Sequence, residues 1–563
     1  MQMRIPFSLL QGRAIYQPFA QGHNGVLNSN TMPELLEVTT PSLAYICLGG
    51  FAVLFSMVSL LVKERLFINE VVLGTAFGIL VGPYGIDVFD PRSWGHQSNP
   101  VTLEVMRIVL AIGLFAIGVE IPRSYMRDHA KGLLVMVVPT MAIGWLVVSG
   151  LLYVLFPQIE LYGCLAIAAC LTPTDPIISA AIVGGKFAVK HVPLNLRLIL
   201  SAESAANDGL AYPFLSIAIY LMVDPTPKEA VLHWVLIGWL YEVICGTILG
   251  AVMGIAFAYL MRFSHRRGFI DRESYVAQYL SLAFLTIGIA STLGLDDLLA
   301  AFAAGNALSW DGQFNERTEG DVFSSVIDLV FNCACFIYIG AWLPFKSFVD
   351  FDGLGLDVWR LGLLFLGVLM MRRIPSVLLL YRWIDEIEGW KQALFTGHFG
   401  PMGVGAIFVS TLAATRLPEP HYPPENQLEL VASVLQPIVS FVVLGSIIIH
   451  GLSIPFFNLS RNISVSTTVI PNLPHFPEWA WQIHRFGGVR HGADEDRDAG
   501  SERVSYHEGV LIDIDDGLED GMGVVSARPT ARPVSLCHRC SQVVESIDTA
   551  QAEEVGGQDR SAH

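Results

Sequence analysis

Apolar runs long enough to cross a bilayer recur between residues 41 and 455, and nothing else in the chain restricts its fold as tightly. A hydrocarbon core about 30 Å thick takes roughly 20 apolar residues of helix per crossing. A helix satisfies its own backbone polar groups there, which an irregular segment cannot do. The clearest crossings lie at residues 41–61, 133–156, 161–183, 231–261, 324–343 and 431–455, and 66–81 and 298–308 are shorter. The length rule gives roughly thirteen in all. Composition agrees: 53% of the 563 residues are hydrophobic, 15% are charged, and the mean hydropathy is +0.51. Soluble domains carry about 25% charged residues. The expected fold class is an all-α polytopic membrane protein.

Loop charges set an orientation. Lys63 and Arg65, then Arg123, Arg127 and Lys131, then Lys186, Lys190 and Arg197, then Arg262, Arg266, Arg267 and Arg272 follow alternate crossings. The loops between them are acidic or neutral. The positive-inside rule puts the N-terminus outside and the C-terminus in the cytoplasm. The chain divides into an extracellular segment 1–40, a transmembrane domain 41–456, a juxtamembrane segment 457–484 with interfacial tryptophans Trp479 and Trp481, and an acidic tail 485–563. The tail is polar and poor in aromatics, as disordered segments are. It holds much of the net charge of −17, which speaks against nucleic acid as a partner. Membrane lipid is the expected surroundings. The eight cysteines are scattered and suggest no disulfide framework. Cys537 and Cys540 form a lone CxxC, too little for a metal site. Asn458 and Asn462 head glycosylation patterns on the side read as cytoplasmic, where they stay unused.

Polar residues interrupt this apolar background at four places. The stretch LSAESAANDG, residues 200–209, carries Glu203, Ser204, Asn207 and Asp208. At about 100° per residue they share a helical arc of roughly 140°. Glu203 and Asn207 stand at i, i+4, and so do Ser204 and Asp208. Hard oxygen ligands on one helix face suit small hard cations, and ionisable residues inside a membrane point to function. A purely structural polar network is the alternative. LTPTDP, residues 171–176, breaks the preceding crossing, because Pro173 and Pro176 cannot both continue a helix. Carbonyls freed near Thr172 can face a cation, and Asp175 can compensate a helix end; a plain proline kink is the alternative. GHFGPMGVG, residues 397–405, interrupts a crossing in the second half. Two such interruptions in matching positions point to an inverted-repeat transporter. Arg372 and Arg373 lie between apolar flanks, and a buried arginine needs a carboxylate, for which Glu203 is the candidate. Snorkelling to the interface is the alternative for one of them. His398 and His450 are candidate pH sensors or hydrogen-bonded structural histidines.

TPTDP followed about thirty residues later by ESAANDG resembles the signature of monovalent cation/proton antiporters, the sodium/proton exchanger superfamily. Residues 183–190 (VGGKFAVK), 338–345 (YIGAWLPF) and 397–406 (GHFGPMGVGA) are most similar to its fungal plasma-membrane branch. The resemblance implies an inverted-repeat antiporter fold with two broken crossing helices, usually homodimeric, at the plasma membrane. It implies exchange of cytoplasmic Na+ or Li+ for external H+, with no cofactor and no enzymatic activity. Asp208 then resembles the carboxylate that takes cation and proton in turn, with Ser204 and the Thr174 backbone as further Na+ ligands. Glu203 resembles a ligand through water or a structural acid, steadied by Asn207 and Arg373, and Asp175 the acid at the helix crossing. Burial and bound cation act on a carboxylate's proton in opposite senses, which suits competition near cytoplasmic pH. A K+/H+ exchanger of the same fold is one alternative. An intramembrane aspartyl protease using Asp175 and Asp208 is another; the Ser and Asn neighbours, the broken helix and the arginines do not fit it.

Overall fold

The structure is a computed structural model that describes residues 39–466 apart from 67, 123, 185, 319–322 and 350–353. The expectations for residues 1–38, for the acidic tail with its CxxC, and for 467–484 fall outside the described residues. The described residues form helices joined by loops, with no strand among them.

In chain order the main helices are α1 (Thr40–Leu60), α2 (Glu70–Val81), α3 (Ser98–Glu120), α4 (Ala130–Leu155), α5 (Leu161–Cys170), α6 (Pro176–Val183), α7 (Leu194–Val223), α8 (Pro227–Arg266), α9 (Arg272–Leu293) and α10 (Asp297–Leu308). They continue with α11 (Phe323–Trp342), α12 (Val358–Met371), α13 (Ile374–Leu380), α14 (Trp390–His398), α15 (Val404–Arg416) and α16 (Gln427–Ser466). Eight helical spans among the described residues are long and apolar enough to cross a membrane. The chain is a multi-pass membrane protein. The helix expected to end at residue 455 runs on to Ser466, so the first part of the juxtamembrane segment, including both glycosylation patterns, is helical.

Helix ends follow local chemistry. Asp271 caps α9 by accepting from the Ser274 N–H at 2.9 Å and its hydroxyl at 2.6 Å. Those bonds hold the Asp271 carboxyl below its usual range. Gly294 ends α9 in the left-handed conformation at φ 69°, which glycine adopts without a Cβ penalty. Asp296 then caps α10.

Two groups of helices pack around the middle of the chain. In one, α10 lies against α8 and α3, and α2 lies against α11. These are backbone-to-backbone approaches through small residues, with Gly78 of α2 against the Ile337 carbonyl and Gly250 of α8 against that of Ala300. Small residues allow helices to pack this closely in lipid. The glycines recur every four residues, at 74, 78 and 82 and again at 246, 250 and 254. In the other group α7 packs on α5 and α15 on α16, with α13 against α14.

Candidate functional site

Three interruptions of regular helix meet in the second group. α5 ends at Cys170 and α6 begins at Pro176, so residues 171–175 are non-helical. α14 ends at His398 and α15 begins at Val404, leaving 399–403 open. Pro375, near the start of α13, cannot donate to the carbonyl four residues back, and Arg372 and Arg373 sit at that break. A plain kink is thus excluded at both crossings: each helix stops and restarts.

The two open segments touch, the Asp175 N–H donating to the Pro401 carbonyl at 2.8 Å. Asp175 and Arg372 compensate the four helix ends created here. One Asp175 oxygen accepts from the Ile178 N–H at 2.7 Å and the other from the Val404 N–H, so one carboxylate caps both α6 and α15. Negative charge is favoured at helix N-termini and positive charge at C-termini. Arg372 takes the opposite ends, its guanidinium donating to the carbonyls of Leu171 (2.6 Å), Thr172 and Pro173 (both 3.2 Å), and to that of Gly400. Arg372 is buried, so it does not snorkel, and the freed carbonyls expected to face a cation face this arginine instead.

The expected partnership of arginine and glutamate is present, with Arg373 as the arginine. Its guanidinium forms a two-pronged ion pair with Glu203, one prong at 2.5 Å, and its Nε donates to the Thr396 carbonyl at 2.9 Å. Glu203 is 1% exposed and both its oxygens are taken. Asn207 does not steady Glu203. Its Oδ1 accepts from the Thr174 N–H at 3.0 Å and its Nδ2 donates to the Thr174 hydroxyl at 2.8 Å. The physical reason is supply: the broken backbone at Thr174 offers an N–H that no helix satisfies, whereas Arg373 already saturates Glu203. The Ser204 hydroxyl donates back to the Ser201 carbonyl at 3.1 Å.

Asp208 differs from its neighbours. It is fully buried, and neither carboxylate oxygen has a hydrogen-bond partner among the described residues. Its carboxylate lies against Gly405, where an added Cβ would collide with Oδ1. Gly403 gives Asp175 the same clearance. The glycines of GHFGPMGVG thus admit two carboxylates against backbone, a more specific use than general close packing. His450 donates through Nε2 to the His398 carbonyl at 3.0 Å, and Ser446 of the same helix accepts from the Met402 N–H at 2.7 Å. Both contacts hold α16 against the second break, as structural histidines do.

Sequence reading missed a second buried polar group. Asp297 pairs with Arg107 of α3 at 2.7 Å and accepts from the Tyr212 hydroxyl of α7 at 3.2 Å. Glu242 of α8 lies 3.7 Å from Arg416 of α15. Asp296 is fully buried beside them. Charged residues inside apolar runs at 107, 242 and 296–297 were the available signal. Among the described residues no cluster of three or more His, Cys, Asp or Glu side chains is set to hold a metal ion.

Comparison with known proteins gives one family. The sodium/hydrogen exchanger transmembrane family model matches residues 51–459. A probable Na+/H+ antiporter of Schizosaccharomyces pombe is 44% identical over 440 residues, covering 76% of this chain and 57% of the relative. The Na+/H+ antiporter of Saccharomyces cerevisiae is 42% identical over 446 residues, covering 77% of this chain and 45% of its own length. A second S. pombe Na+/H+ antiporter is 37% identical, with 74% and 90% covered. The chain therefore spans about half the length of the first two. The sodium proton antiporter MjNhaP1 from Methanocaldococcus jannaschii, at pH 8, has a similar fold, with a TM-score of 0.54 at 17% identity over 74% of this chain and 98% of that one.

Proposed function

The chain belongs to the sodium/hydrogen exchanger family, and from that premise we propose that it exchanges cytoplasmic Na+ or Li+ for external H+ at Asp208. The observation that carries this reading is the Asp208 carboxylate, buried beside the helix crossing with neither oxygen hydrogen-bonded by the protein. A buried carboxylate is stable when neutralised, and a proton or a monovalent cation does this equally. Each excludes the other, so one group couples the two fluxes. In this reading Ser204 and Thr174 supply further oxygens and Asn207 positions Thr174. Glu203 and Arg373 brace α7, and Asp175 and Arg372 hold the crossing together. Alternating access comes from rocking one helix group against the other around the site. The protein works as a homodimer in the plasma membrane, with its N-terminus outside and its C-terminus in the cytoplasm. Proteolysis is disfavoured because both Asp175 oxygens are engaged in capping.

The test is proton flux in proteoliposomes carrying an interior pH dye, with Na+, Li+ or K+ added outside. Na+ and Li+ are expected to move protons. Flux with K+ in their place would make this a K+/H+ exchanger, and a folded preparation that responds to no cation would refute the exchange reading.

Two glycine substitutions probe the site's shape. Gly405→Ala forces a methyl into the Asp208 carboxylate and is expected to cost about 1–3 kcal/mol of stability, the usual range for overpacking. Flux should fall with it. Gly150→Ala, in α4 with nothing within 4 Å of the new methyl, should leave both unchanged. Thermal midpoints and initial rates measured side by side check the contrast.

A further inference from the structure

Two contacts between α16 and the first helix group are chemically unlike. Near the start of α16 stands Gln436, 8% exposed, among Val434, Leu435, Ile438 and Val439, which are fully buried. An amide in such surroundings is costly unless its hydrogen bonds are met. Its partners are both on the first group. Gln436 Nε2 donates to Asn99 Oδ1, at the start of α3, at 3.0 Å, and its Oε1 faces Arg92 Nη1 at 3.5 Å. Roughly 22 Å further along α16, at about 1.5 Å per residue, Gly451 lies against Val72 of α2, where an added Cβ would collide with the valine Cγ2. That second contact is apolar.

Arg92 is fixed to the first group before it reaches Gln436. It sits in the short helix Pro91–Gln97, which Asp90 caps by accepting from the Arg92 and Ser93 N–H groups at 3.0 and 3.3 Å. Its Nε donates to the carbonyl of Trp342, the last residue of α11, where a helix leaves carbonyls unmet. Its guanidinium stacks on the Trp342 ring, 3.9 Å from the ring centre. Nη1 is then the end that reaches across to α16. Arg92 Nη2 and Trp342 Nε1 are buried with no hydrogen-bond partner among the described residues. Two unmet donors make the closed arrangement costly in itself, and opening it to water relieves them. The Gln436 bonds hold the closed arrangement against that cost.

Rocking one group on the other lets an apolar contact slide, but it must break hydrogen bonds, which tolerate little change in distance or angle. We propose that Gln436 is a positioning residue for exchange. Arg92 and Asn99 hold its amide and so shut the two groups together at the outer end. The groups turn about the Gly451–Val72 contact and release the amide whenever the site faces outward. The proposal rests on the exchange reading and the orientation given above, and adds to them the contact that closes one side.

The test is a cross-link. Asn99→Cys combined with Gln436→Cys is treated in proteoliposomes with a short bifunctional thiosulfonate, and mass spectrometry of the digested protein confirms the bridge. Bridging is expected to stop Na+-driven proton flux, and reducing the bridge to restore it. Each single-cysteine variant should keep its flux under the same reagent. Full flux in the bridged protein would mean that the groups do not part there, and thiols that fail to link would deny the contact; either result overturns the proposal. Should the double variant be inactive before bridging, Gln436→Leu decides, since leucine keeps much of the bulk and loses both bonds. In sealed right-side-out vesicles, its half-saturating Na+ on the outer side is expected to fall about fivefold, the worth of one net hydrogen bond. The reason is that a state closed to the outside lowers apparent affinity from that side. A lowered thermal midpoint with outer half-saturation unchanged would make the amide purely structural and overturn the proposal equally. A wild type without cation-driven flux would instead defeat the exchange reading itself.

Discussion

Asp208→Asn is expected to abolish cation-driven proton flux, by at least about a hundredfold, while the protein still folds. The amide keeps the shape of the side chain but carries neither the negative charge that holds a cation nor a titratable proton. Removing one partner of a buried charge pair costs about 3–5 kcal/mol, and each 1.4 kcal/mol is about tenfold in an equilibrium constant. Stability should not suffer. No protein group among the described residues donates to the Asp208 carboxylate, so the substitution strands no partner and removes an uncompensated buried charge. The thermal midpoint in detergent is expected to stay level or rise. Full flux in this variant would mean that the cargo is carried elsewhere.

Arg373→Ala is expected to do the reverse and strike stability first. It leaves Glu203, 1% exposed, without its two-pronged partner, and leaves the Thr396 carbonyl without a donor. Breaking a buried pair from one side costs about 3–5 kcal/mol. That is a large share of the roughly 5–15 kcal/mol by which domains are stable. The midpoint and the yield of folded protein should both drop. Replacing both partners, as Glu203→Leu with Arg373→Met, should recover much of the loss, because a packed apolar pair leaves no charge stranded. An Arg373→Ala protein of normal midpoint would show that the pair does not hold α7 in place.

These opposite expectations for two residues near the same crossing show what the sequence made legible. Apolar runs, interrupted twice by proline and glycine, were enough to call a helical membrane fold with broken crossings, since hydrocarbon tolerates so few alternatives. The acids of α7 were legible for the same reason. Their partners were less so. Asn207 at i, i+4 from Glu203 looked like its brace, yet it serves Thr174, because a break in one helix creates donors that helical spacing on another cannot reveal. Arg372 looked able to reach the interface, yet it holds four carbonyls at two helix ends. Asp296 was not among the residues that the sequence singled out. Tertiary packing sets its carboxylate against Gly209, the residue after Asp208.

The central claim is that cation and proton compete for one carboxylate. It is tested most directly by measuring initial rates of exchange in proteoliposomes against Na+ concentration across a range of pH. On the acid side, competition predicts that half-saturating Na+ rises by up to about tenfold per pH unit, while the maximal rate at saturating Na+ holds. A half-saturating Na+ that ignores pH, with a maximal rate that falls instead, would place the proton on a separate group and contradict the account.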